Sequence, residues 1–286
     1  MPGEYVYRGV HYCFVHKGVD IDMMKEWQVR PSDVLLATPP KSGTTWMGEI
    51  LRLMRGFHPQ LSEDEDSEKL GMLPFLEMEL PFLPNAVKNK DNIPSPRFIK
   101  THLPYEFTKG KVEQEGLKVI AVLREPKDTL TSLYYHYCLD VLGYPGDFHQ
   151  FFELVRQDRL IGGNIFKMAR DWWQARHLPN VLVVKYEEMK KDTAAVVRRV
   201  GEFLQIPLDD KAVGDIVQRC SMGEMRKSMA DQTKDKNGKN FIDVNQFLRK
   251  GIIGDWKNIF NEDEVEFVDE CVRKYYDPLV STSTCD

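Results

Sequence analysis

Short apolar runs bounded by turn residues alternate with longer stretches of helical period along this 286-residue chain. That alternation is how a parallel sheet wrapped by helices is written in sequence. The apolar runs predict strands at about 33–38, 96–101, 118–124 and 180–185. The periodic stretches predict helices at about 44–57, 126–141, 148–158, 163–177, 193–204, 209–219 and 262–275. No shift in composition marks a boundary, and the length suits one large domain. The expected fold is therefore a single α/β domain over residues 1–286 with a central parallel sheet flanked by helices. Residues 228–248 begin with a polar stretch, Ser228 to Asn240, lacking an apolar face, and are expected to form a mobile loop over the site.

Charge narrows the ligand. Lys plus Arg number 39 and Asp plus Glu 44, a formal charge of −5, which argues against a chain that coats nucleic acid or an anionic membrane. A polyanionic ligand must then be met by a few placed cations. The acidic run Glu63 to Asp66 reads as a solvated loop. Cys13, Cys138, Cys220, Cys271 and Cys285 are scattered and contain no CxxC pair, so neither a disulfide framework nor a zinc site is expected and a reducing, cytoplasmic setting fits. No apolar signal segment opens the chain and no run is long enough to span a bilayer, so neither secretion nor membrane anchoring is expected.

In an open parallel sheet, ligands sit at the carboxyl ends of the strands. The residues there are chemically loaded. The first strand runs into Thr38-Pro-Pro-Lys41-Ser42-Gly43-Thr44-Thr45-Trp46 and then a helix. Gly43 lets the backbone bend around oxygen atoms, the first helical N–H groups point at them, Thr44 and Thr45 add hydroxyls, and Lys41 adds a charge. Taken alone, Ser42 and Thr44 could be ordinary helix caps. The lysine precedes the glycine, so this is not the GxxxxGK[ST] loop of a nucleotide kinase.

The nonapeptide resembles the 5′-phosphosulfate loop of the cytosolic sulfotransferases, usually TYPKSGTTW. Arg249-Lys250-Gly251-Ile-Ile-Gly254-Asp255-Trp256-Lys257-Asn258-Ile-Phe260 is similar to that family's RKGxxGDWKNxF segment, and Lys100-Thr-His102-Leu-Pro104 to its KTHLP. Arg124 to Asp128 with Ser132, and Tyr186 to Met189, follow in the family's order. The resemblance implies a nucleotide donor, 3′-phosphoadenosine 5′-phosphosulfate (PAPS), leaving as the bisphosphate PAP, with no metal. Such a donor carries roughly four negative charges, costly to bury unpaired. Lys41 and the loop would meet the phosphosulfate; Arg124, Ser132, Arg249, Lys250 and Gly251 would meet the 3′-phosphate; Trp46 and Met222 would pack on the base, with Tyr186 and Cys220 also at the nucleotide. In-line transfer then needs a base and a stabilised leaving group. His102 is the expected base, Lys100 shares its face of an extended segment, and Lys41, modulated by Ser132, would stabilise the leaving phosphate.

By the same resemblance Phe75, Met78, Tyr135 and His136, with His102, would form an apolar acceptor pocket for a phenol, sterol or other small hydrophobic alcohol or amine. Three positions depart from the family pattern. Pro39 stands where it has tyrosine, and Cys220 and Met222 where it usually has threonine and phenylalanine. A fourth, the Asn261-Glu262 pair, replaces the apolar centre of the KxxxTVxxxE dimer segment, so a monomer is expected. A nucleotide kinase and a silent nucleotide-binding protein remain the rival readings.

Overall fold

The computed structural model describes residues 3–17, 19, 22, 27–59, 72–80, 85–89, 92–234 and 238–276. The acidic run 63–66 and Cys285 lie outside them. The described elements are β1 Tyr5–Tyr7, β2 Val10–Tyr12, β3 Val34–Ala37, α1 Thr44–Arg55, β4 Phe98–Thr101, α2 Lys109–Glu113, β5 Lys118–Leu123 and α3 Pro126–Tyr137. They continue with α4 Phe148–Arg156, α5 Ile165–Ala175, β6 Val181–Lys185, α6 Tyr186–Lys191, α7 Thr193–Leu204, α8 Asp210–Arg219, α9 Met222–Gln232, α10 Val244–Phe247 and α11 Glu262–Tyr276.

Four strands form a parallel sheet in the order β4-β3-β5-β6, and β1 and β2 pair as a separate antiparallel hairpin. Because β3 has β4 on one side and β5 on the other, the order reverses at its carboxyl end, where a crevice opens. The strands read as continuous apolar runs because both faces are covered. Side chains alternate between two cores: Leu35, Ala37, Val119 and Ala121 join the larger cluster with α3, α4, α5 and α11, while Val34, Leu36, Ile120 and Val122 pack against α1, α7 and α8.

Five expected helices are shorter than their sequence bounds, three of them at ends with a visible cause. The one expected from 163 begins at Ile165, because Gly162 and Gly163 have φ of 90° and 97° and Asn164 caps the helix by accepting from the Lys167 N–H. The one expected to reach 141 stops at Tyr137, after which turns carry buried Leu139 and Leu142 into the core. The amphipathic stretch from 209 starts one residue later because Asp209 is the cap. Within the expected loop over 228–248, residues 228–232 belong to α9 and Val244–Phe247 form α10. Helical spacing there is hidden by polar residues: α9 buries only Met225 and Met229.

Candidate active site

A cavity of about 800 Å³ opens at the carboxyl ends of the strands. Its floor at one end is the loop after β3. Lys41 is held at φ 67° and Gly43 at φ 115°, and a Cβ on Gly43 would lie 3.0 Å from the Tyr186 ring and 3.3 Å from Val122. Only glycine fits this close approach of loop, β5 and α6. No side chain caps α1, so its first N–H groups are left for a ligand at the cavity floor. Thr44 and Thr45 line the cavity, with the Thr44 hydroxyl 2.6 Å from that of Thr38. Ser42 is buried and its N–H donates to the Pro39 carbonyl at 3.2 Å, so it shapes the loop without facing the cavity.

Cations gather at this end. Arg124 donates to the carbonyls of Lys41 (3.3 Å) and Ile252 (3.1 Å) and lies over the Tyr186 ring at 4.3 Å. Arg249 and Lys250 meet across Asp255 at 2.5 and 2.8 Å. Burial favours the neutral Asp255 carboxyl, but hydrogen bonds from Lys250 and Arg249 outweigh it and hold its pKa below the ordinary value. This segment is tied to α3 by buried Asp128, which accepts from the N–H groups of Gly254 (2.7 Å) and Trp256 (3.2 Å). Arg226 of α9 pins it from the other side through the Leu248 and Arg249 carbonyls. Trp46, Cys220, Met222 and Tyr186 line the adjoining wall; Trp46 meets Tyr186 edge-on at 5.7 Å and has Lys190 5.6 Å above it. Met222 packs on the backbone of Gly251, where a Cβ would fall 2.6 Å from its methyl carbon.

Where the two ends of the cavity meet, Lys41, Lys100, His102, Ser132 and His136 converge. Burial pushes the Lys41 pKa down to about 7, helped by Arg124 and Arg249, a repulsion that an anion among them would reverse. Burial likewise lowers Lys100 to about 8, against the pull of Glu77; its ammonium lies 4.3 Å from the Phe75 ring. His102 is lowered to about 4 by burial, with Lys100 and Lys41 adding to the shift. The ring is therefore neutral, and its Nδ1–H donates to the Thr38 carbonyl at 2.9 Å. That bond sets the tautomer and leaves the Nε2 lone pair free.

Glu77 was not legible as a site residue, because it sits 25 positions before His102. Residues 74–76 run beside β4, with Lys100 donating to the Pro74 carbonyl and Leu76 to the Lys100 carbonyl. This brings the buried Glu77 carboxylate to the His102 N–H (2.7 Å) and the Thr101 hydroxyl (2.9 Å). Burial pushes its pKa up to about 7 despite those donors.

The other end is apolar. Phe75 sits 5.3 Å from the His102 ring, Met78 and His136 line the wall, and Cys13 to His16, whose sequence gave no signal, close it. Tyr135 does not join them. It is 38% exposed with Arg249 4.3 Å above its ring, because Ser132 and His136 lie one turn apart on the cavity face of α3 and Tyr135 falls beside that face.

The sulfotransferase domain family model matches residues 31–279. Human sulfotransferase 1E1 is 32% identical over 296 aligned positions, covering 96% of this chain and 93% of that one. Mouse sulfotransferase 1 family member D1 is 31% identical over 263, covering 89% and 87%. The crystal structure of mouse sulfotransferase SULT7A1 complexed with PAP superposes with a TM-score of 0.78 at 26% identity, over 96% of this chain and 94% of that one. A retinol dehydratase with androsterone and inactive cofactor PAP shares the fold, with a TM-score of 0.78 at 20% identity, covering 98% and 90%.

Proposed function

The chain belongs to the sulfotransferase family as a PAPS-dependent enzyme, and from that premise we propose that it sulfates a hydroxyl or amine of a small hydrophobic acceptor with His102 as general base. The observation that carries this reading is the pairing of a cationic and an apolar compartment across one neutral histidine. The uncapped start of α1, the Gly43 bend and the cluster of Lys41, Arg124, Arg249 and Lys250 suit a bisphosphorylated nucleotide. When bound, PAPS supplies the sulfuryl group and its 5′-phosphate is the leaving group.

The remaining work falls to this chain. Lys41 and the α1 N–H groups hold negative charge on the leaving phosphate, with Ser132 beside them. Lys100 neutralises charge at the transfer point. The His102 Nε2 lone pair takes the acceptor proton, while the Thr38 carbonyl steadies the ring through Nδ1–H. Trp46 and Met222 receive the base. Phe75, Met78 and His136 shape the acceptor space and exclude water.

An assay with labelled PAPS and 2-naphthol tests the reaction. We expect naphthyl sulfate and PAP in equal amounts and no turnover of ATP. PAP binding without transfer to any phenol, alcohol or amine would leave a binding protein and overturn the reading. Asn261 is engaged as a helix cap, its N–H donating to the Glu264 carboxylate and its side-chain oxygen accepting from the Glu264 N–H, which supports a monomer at micromolar concentration; sedimentation checks it. Four described cysteines carry free thiols, which supports residence in a reducing compartment such as the cytoplasm; fractionation checks that. Among the described residues no helix is long and apolar enough to cross a membrane.

A further inference from the structure

The Lys41 ammonium lies over the face of the Phe247 ring, 3.9 Å from its centroid. Among the described residues that ammonium has no hydrogen bond and no ion pair. The charges acting on it are those of Arg124, after β5, and Arg249, after α10, both cations. Lys100, on β4, lines the same cavity, while His102, after β4, and His136, on α3, are kept neutral by burial. The Phe247 ring is thus the group in contact with Lys41 that offers it negative potential, from the π face.

The ring is held in place without help from a ligand. Helix α10 packs against α3 and α9 and is capped by Asp243. The Phe247 and Leu248 N–H groups donate to the Asp243 and Val244 carbonyls at 2.9 and 2.8 Å. The Leu248 and Arg249 carbonyls in turn accept from Arg226 at 2.7 Å each, and His136 meets the ring edge-on at 5.4 Å. A carboxylate in this place would grip the ammonium harder, but it would repel a donor of roughly four negative charges. An aromatic face carries no net charge, covers one side of the ammonium and leaves its other N–H donors for phosphate oxygens. We propose that Phe247 is a positioning residue that keeps the Lys41 ammonium charged and aimed at the leaving phosphate, acting only through Lys41. This inference rests on the sulfotransferase reading given above.

Carbon-13 spectra of lysine-labelled, donor-free protein follow the charge directly, with the Lys41 signal assigned from Lys41→Arg. We expect Lys41 to titrate near 7, and Phe247→Leu to lower that midpoint by about one pH unit, the scale of a desolvated cation–π contact. Replacing Phe247 by 3,4,5-trifluorophenylalanine, which keeps the shape and drains the negative face, should lower it nearly as far; this ring tests the contact even if Phe247→Leu fails to fold. Only the charged ammonium meets the phosphate, so kcat/KM for PAPS and calorimetric PAP affinity in Phe247→Leu should fall about tenfold at pH 8 and less than about twofold at pH 6. An unmoved midpoint, a trifluorinated ring that behaves like phenylalanine, or an equal loss at both pH values overturns the proposal. Midpoints that move as stated in a protein that makes no sulfate from PAPS would instead sink the sulfotransfer reading and leave the hold of Phe247 on Lys41 intact.

Discussion

At the cationic end of the cavity, the loop before α1 and residues 249–252 each supply a run of lining groups adjacent in the chain, the former with the free N–H groups of the helix start, while Arg124, Tyr186 and the start of α9 complete the wall. At the apolar end the walls come from the N-terminal segment, residues 72–80, α3 and the region around α10, separated by up to two hundred positions or more. On the proposed reading the first end meets fixed charge with a fixed backbone shape, which is encoded locally, and the second meets a surface, for which side chains of suitable size from distant segments serve. The cationic end should therefore fail abruptly when one group is removed, and the apolar end should grade.

The sharpest break of that contrast is Lys41→Ala. Removing a preorganised charge at the leaving group costs about 3 kcal/mol or more, so kcat should fall at least about a hundredfold; a kcat near that of the unmutated protein would show that the loop merely holds the nucleotide. Next is His102→Ala, for which transfer should fall about a hundredfold or more while calorimetric PAP affinity stays close to the original. Loss of both in proportion would move His102 into the donor site. The loss should be larger for aliphatic alcohols than for acidic phenols, whose oxygen needs less help.

The pH profile follows from the same residue. The folded pKa of His102 lies near 4, below its ordinary 6.5, so the active neutral form persists as pH falls until about 4. The acid limb of kcat/KM, which reports the free enzyme, should lie near there, and the limb of kcat should lie higher, since a bound polyanion offsets Lys41 and Lys100. The depressed pKa also means that stability is fully present above 6.5 and is lost as pH falls toward 4. A kcat/KM limb at 6.5 would show that burial does not govern the ring.

Glu77→Gln turns an amide N–H2 toward one of two donors that the carboxylate now satisfies, at a cost of roughly 1–3 kcal/mol. We expect a melting point lower by a few degrees, on the order of 2–4 °C per kcal/mol, with kcat falling more than PAP affinity. The smallest effect is Met222→Phe, which should tighten PAP binding by roughly 0.5–1.5 kcal/mol if the base lies between it and Trp46. Unchanged affinity would mean that the base packs elsewhere.

How far the site was legible tracks the length of chain that builds each part. Lys41, Gly43, Thr44 and Trp46 were found because strand, bend and helix start are consecutive, and Arg249 to Gly251 because that segment likewise runs unbroken. Asp128 entered the sequence reading only as the end of the Arg124 to Asp128 motif, yet it is the clamp on a segment 126 positions away. Tyr135 was placed in the pocket and stands outside it, since which residue of a helix faces a cavity depends on how the helix is rotated against its neighbours.

Sequence by itself determined the parallel sheet and its two-sided burial, because strand and helix periods are properties of consecutive residues. It also determined the anion loop, because a glycine bend before a helix start needs nothing from elsewhere. Only the tertiary structure decided the electrostatics of the transfer point. His102 is neutral because it is buried, with Lys100 and Lys41 adding to that effect and outweighing the hydrogen bond to the Thr38 carbonyl, and Glu77 is buried against its backbone because residues 74–76 run beside β4. Desolvation and charge proximity depend on distance in space, so no local pattern records them.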